Sequence, residues 1–103
     1  MIIDDAAFLQ ALDAHMSIVE RAVRSVPVRA ELEDVRWAGA LEGFWYALQK
    51  EVENFEVYCF RAVRSRIMNR LRQERPLAIP LPPAVVRALA QVRAEREKRR
   101  KIS

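Results

Sequence analysis

The chain has 103 residues, 51% of them hydrophobic with fifteen Ala and only two Gly, which fits one domain with a thin core built from strong helix formers. A formal charge of +4 conceals a division: residues 1–60 carry 5 basic and 11 acidic side chains, whereas residues 61–103 carry 13 and 3. The second half therefore suits an acidic or polyanionic partner, or the first half of another copy, unless it is simply a solvated basic end.

No run approaches the roughly 20 apolar residues that span a bilayer, and the start Met1-Ile2-Ile3-Asp4-Asp5 lacks the pattern of a secretion signal, so no membrane insertion and a cytoplasmic location are expected. The single cysteine, Cys59, can form neither an internal disulfide nor a zinc-binding thiol pair. Helix packing alone must hold the fold.

Asp4 or Asp5 suits the N-cap of a first helix over about 5–25, since a carboxylate there accepts from free amides and meets the positive end of the helix dipole. Leu9, Leu12, Met16, Val19, Val23 and Val26 recur at spacings of three and four, a narrow coiled-coil-like seam. Pro27 ends it.

From about residue 30 to 75 no proline intervenes, and the helical period persists through Trp37, Leu41, Trp45, Leu48, Val52, Phe55, Cys59 and Ala62. The pattern predicts one long helix of about 65 Å, interrupted, if anywhere, near Gly39 and Gly43, where a break costs least. Phe60, Ile67 and Leu71 begin a second stripe, while Arg66 and Arg70 close the first. Residues 76–83, Pro-Leu-Ala-Ile-Pro-Leu-Pro-Pro, form a stiff reversal. A shorter third helix follows over about 83–97, with Val85, Leu89 and Val92 as its apolar edge and 98–103 as a basic tail. The fold class is all-α: an elongated helical hairpin or small bundle with one long central helix and a shorter C-terminal one.

A first helix of this length covers the second only as far as about Val52, which leaves Phe55, Cys59, Ala62 and Val63 as an uncovered strip. Such a strip predicts self-association, most simply a twofold homodimer of paired long helices.

His15 has no Cys or His at ligand spacing and reads as structural. Glu42, Glu53 and Glu56, with Gln49, share a side of the long helix without a Glu-x-x-His pair, which favours a solvated acidic face over a metal site. Cys59 lies on the seam as a small apolar residue, and its only histidine candidate for a base is distant. Phosphate loops, dinucleotide fingerprints and serine-hydrolase elbows are missing, so neither catalysis nor a cofactor is expected.

Seven of the eight aromatics fall within residues 37–60 and point around more than one side of the helix; Tyr46 and Tyr58 leave the seam and are candidate contacts. Arg61, Arg64, Arg72 and Arg75 share one side of the end of the same helix. Arginine outnumbers lysine fifteen to three, which suits bidentate recognition of carboxylate or phosphate. In size and style the chain is similar to small accessory and regulatory proteins of bacteria and their phages, with no motif that carries a residue over. The expected function is a non-enzymatic, protein-binding adaptor or inhibitor acting through a helical face and the basic C-terminal half. A sequence-independent nucleic-acid binder and a structural subunit of a larger assembly are the rival readings, since no aromatic after Phe60 can stack on a base.

Overall fold

A computed structural model describes residues 4–73 and 80–102, with side chains to residue 99. Helix α1 (Asp5–Arg24) starts as its sequence predicts: the Asp4 carboxylate accepts a hydrogen bond from the Ala7 amide at 2.7 Å and satisfies one of the free donors of the first turn. It stops at Ser25, whose hydroxyl donates to the Ala22 carbonyl at 2.6 Å, two residues ahead of Pro27. At His15 the backbone departs from helical angles (φ −119°, ψ 15°), which kinks the helix. Leu12, Val19, Val23 and Val26 are buried as the seam predicts, but Phe8, Ile18 and Ala22 are buried too, while Leu9 and Met16 are only half-buried.

A short 3-10 turn (Ala30–Leu32) leads into α2 (Glu33–Ala47). Arg36 fastens this corner: its guanidinium donates to the Val23 and Val26 carbonyls, at and just past the end of α1, at 3.3 and 3.1 Å, and to Glu33 at 2.8 and 2.6 Å. Leu41 and Phe44 of α2 are fully buried, and the Phe44 ring packs against Phe8 with centroids 5.7 Å apart. Removing each such side chain from water is worth about 1.5–3 kcal/mol.

The single long helix expected over 30–75 does not form. The chain leaves helix after Ala47 and resumes as α3 (Phe55–Leu71), where the Asn54 side chain caps the new start by accepting from the Val57 amide at 3.3 Å. The interruption holds neither proline nor glycine, so the packing of α3 back onto α2 decides its place. Gly39 and Gly43, the expected weak points, lie inside α2 at its closest approach to α3. A Cβ at Gly39 would stand 2.8 Å from the Ile67 Cα, and one at Gly43 would stand 2.8 Å from both the Ala62 carbonyl oxygen and the Val63 Cα. Absence of a side chain, rather than backbone freedom, is what these two positions require.

One buried ion pair joins the same two helices. Arg70 of α3 donates from Nε and Nη2 to the two oxygens of Glu42 in α2, at 3.0 and 3.1 Å, and the two residues are 2% and 5% exposed. Arg70 therefore does not end the apolar stripe, because its charge is compensated across the contact. Likewise Glu42 belongs to the interior and not to a solvated acidic face; Gln49, Glu53 and Glu56 of that row are exposed.

The proline-rich run lies partly outside the described residues; Leu81, within its described part, packs on the core. Helix α4 starts at Pro83, where the missing amide costs nothing, and continues to Ile102. It is as long as α1, so the expected shorter helix with a separate 98–103 tail is corrected: the Ala, Glu, Arg and Lys after Val92 are strong helix formers with acids and bases four apart. Ala84, Val85, Ala88 and Leu89 turn inward. Among the described residues there are four α-helices and no strand. Extents of 39 × 30 × 24 Å and a radius of gyration of 13.2 Å describe a compact bundle, close to the ~13 Å of a globular chain of this size. The elongated hairpin is ruled out, because breaking the central helix folds α3 back onto α2 and buries Leu41, Cys59, Val63 and Ile67 within one chain.

Two outcomes follow for stability in urea. Gly43→Ala should lower it by about 1–2 kcal/mol net, since overpacking against backbone outweighs the helix-propensity gain of about 1 kcal/mol; a stabilised variant would show that α2 and α3 stand further apart. Glu42→Ala should cost about 3–5 kcal/mol by leaving the Arg70 charge buried and unpaired, whereas replacing Glu42 and Arg70 together by Leu and Met should restore most of that loss.

Candidate partner-binding face

Part of the charge division along the sequence is taken up by ion pairs within the chain. Arg87 of α4 pairs with Asp5 of α1. Arg96 reaches Asp34 at 2.5 Å and Glu33 at 3.9 Å, and Arg93 reaches Asp34 at 3.3 Å. Together with Glu42 and Arg70, these pairs set acids of the first half against arginines of the second, which is the complementarity that the sequence alone would assign equally to two copies. Burial by itself raises the Asp34 carboxyl pKa, but hydrogen bonds from Arg96 and Arg93 and the charge of both outweigh it and hold the group below its ordinary 3.8.

Three arginines of α3 are left over. Arg61, Arg64 and Arg72 are exposed and make no ion pair with another described residue. At about 100° per residue they lie on the side of α3 opposite Cys59, Val63 and Arg70. Phe60, Arg64, Met68 and Arg72 form one row of residues four apart, and Arg61, Ser65 and Asn69 form the next, with a shallow groove of about 430 Å³ between the rows. Phe60 and Met68 are half-buried against the core, and the Arg21 guanidinium of α1 sits 5.4 Å from the Phe60 ring centroid. The face thus offers long cationic side chains flanking two apolar ones, with the short Ser65 and Asn69 keeping the groove open.

The other residues singled out from the sequence are distributed differently. Arg75 lies outside the described residues. Tyr46, 44% exposed, is on another flank of the bundle, under the Arg66 guanidinium at 4.6 Å from its ring centroid. Tyr58 is half-buried. Of the strip expected to drive self-association, Cys59 and Val63 are fully buried, Phe55 is half-buried against His15 and Phe44, and Ala62 is half-buried. The folded-back α3 places that strip against α2 and α1, so the observation that motivated a dimer there is gone. Burial pushes the Cys59 thiol up to about 11, which keeps it protonated and unreactive at neutral pH. The His15 ring packs tilted against Phe44 and edge-on against Phe55, with centroids 5.9 and 5.1 Å apart, and its Nδ1 lies 2.9 Å from the Ala11 carbonyl oxygen.

Sequence reasoning missed the part that Phe60 and Met68 play on this face, because Phe60 was assigned to the same stripe as Ile67 and Leu71. The alternation Phe60-Arg64-Met68-Arg72 at four-residue spacing was the available signal. A second concavity of about 390 Å³ separates α1 from α4 over Trp37, but its rim mixes Asp13, Glu20 and Glu95 with Arg96 and Arg99 and selects no charge. Among the described residues no three potential metal ligands cluster, and no helix is long and apolar enough to cross a membrane.

A carboxyl whose pKa is depressed by folding contributes stability that is fully present above its unfolded value and is lost as pH falls through the folded one. Asp34→Asn should therefore flatten the acid limb of the melting-temperature profile, in the range below the ordinary carboxyl value; an unchanged acid limb would show that the α2–α4 ion pairs contribute nothing to it. Compared with protein-family models, with curated proteins and with solved structures, the chain matches none.

Proposed function

We propose that this chain is a small non-enzymatic adaptor or inhibitor that docks the outer face of α3 onto an acidic surface of another protein. What supports this most is the fate of the arginines. Arg70, Arg87, Arg93 and Arg96 have acidic partners inside the bundle, while Arg61, Arg64 and Arg72 project from it without one among the described residues. Exposed guanidiniums beside half-buried Phe60 and Met68 combine charge steering with apolar area that a partner can cover. Arginine's planar fork suits bidentate capture of carboxylates. Tyr46, exposed and held under Arg66, offers a secondary aromatic anchor on the adjoining flank.

The test is affinity capture from a lysate of the source organism, with and without nuclease, comparing the intact chain with a variant carrying Arg61→Glu, Arg64→Glu and Arg72→Glu. One nuclease-resistant protein is expected, with capture reduced at least about tenfold by the reversal, equivalent to about 1.4 kcal/mol. Recovery of nucleic acid alone, lost on nuclease treatment, would replace this function by sequence-independent nucleic-acid binding through the same face.

A further inference from the structure

Resting on that reading, we infer that the element which the α3 face receives is an acidic amphipathic α-helix of the partner, laid into the groove between the two rows of α3 side chains. On any helix, residues four apart form a ridge, and the groove between successive ridges is where a ridge of a neighbouring helix packs. The exposed groove of α3 has this form. One wall is Phe60, Arg64, Met68 and Arg72 and the other is Arg61, Ser65 and Asn69, each at four-residue spacing.

Along the first wall the chemistry alternates apolar, basic, apolar, basic, with a rise of about 6 Å per step. A complementary ligand presents acid, apolar, acid, apolar at the same interval. A helix does so with Glu or Asp alternating with Leu-like residues at every fourth position, and its own ridge then packs into the groove as one helix packs on another. Ser65 and Asn69, short and exposed, leave room for the approaching ridge. Charge specifies the sign of the occupant: among the described residues the three arginines of the groove lack acidic partners and no acidic side chain lines it. A docked acidic helix therefore neutralises the face and covers the exposed parts of Phe60 and Met68 in a single step, the helix-in-groove mode of recognition.

The test uses the full chain and fluorescein-labelled peptides of the length of α3. One is Ala-rich with Leu and Glu alternating at every fourth position; a second has the same composition interrupted by two central prolines; a third probe is a labelled single-stranded oligonucleotide. Fluorescence anisotropy should show the helical peptide binding at least about tenfold more tightly than the interrupted one, with binding lost both in Arg64→Glu/Arg72→Glu and in Ser65→Tyr, which fills the groove without removing charge. All three positions are exposed, so circular dichroism and melting should match the parent chain. Equal affinity for the interrupted peptide overturns the helical ligand and leaves docking onto an acidic protein surface standing. Binding of the oligonucleotide alone overturns both. Failure of both peptides to bind overturns the helical ligand, as does a chain that sediments as a dimer dissociated by Arg64→Glu, because the occupant of the groove is then a second copy.

Discussion

The contact on which the rest of the bundle depends is that between α2 and α3, where two glycines admit the backbone of the opposing helix and one ion pair closes the far end. At Gly39 and Gly43 the nearest atoms to an added Cβ belong to the α3 backbone, which cannot rotate away as a side-chain tip can. This proximity brings Ile67 and Val63 fully under α2 and sets Arg70 opposite Glu42. A buried pair of this kind adds little net energy, since desolvation offsets most of the attraction. Its effect is directional: any other register of α3 against α2 would leave both charges unpaired in the interior.

With α3 fixed in this register, the remaining helices have defined places. Phe8 of α1 packs on Phe44 and Trp45, and Phe55 packs on Phe44 and on His15 at the α1 kink, so that the α2–α3 corner and α1 share one aromatic cluster. Helix α4 is held differently. Its inward edge is short and made of small residues, Ala84, Val85, Ala88 and Leu89, and it is flanked by ion pairs to Asp5, Glu33 and Asp34. Those pairs are partly exposed, so salt screens them and each contributes modestly. The structure thus combines a tightly packed α1–α2–α3 core with a fourth helix whose attachment is more electrostatic.

The consequence for function is a sorting of charge. Arginines that looked alike along the chain differ by what the fold sets opposite them. Arg70 on the inner side of α3 and Arg87, Arg93 and Arg96 on α4 meet carboxylates of α1 and α2, whereas Arg61, Arg64 and Arg72 are exposed. A helix has two sides, and the ion pair that anchors one of them leaves the other to act outward.

Much of the local structure was legible in the residues. Asp4 as a cap, Pro27 as a stop, Pro83 as a helix start and the seam through Leu12, Val19 and Val23 all follow from interactions between near neighbours, which sequence spacing reports directly. The outward arginine row of α3 was legible for the same reason, since spacings of three, eight and eleven define a face on any helix. What only the tertiary structure decided was the break before Asn54, the meaning of the two glycines, the burial of Glu42 and Arg70, and the covering of Cys59 and Val63. Each depends on residues distant in the sequence, such as Gly43 and Ala62 or Glu42 and Arg70, being brought into contact. Local preference in 48–54 favours helix, since Leu48, Gln49, Lys50, Glu51 and Glu53 are good helix formers, and the gain from packing α3 onto α2 overrides it. A charge or a glycine takes its role from whatever the fold places opposite it, and spacing within one segment does not reveal that partner.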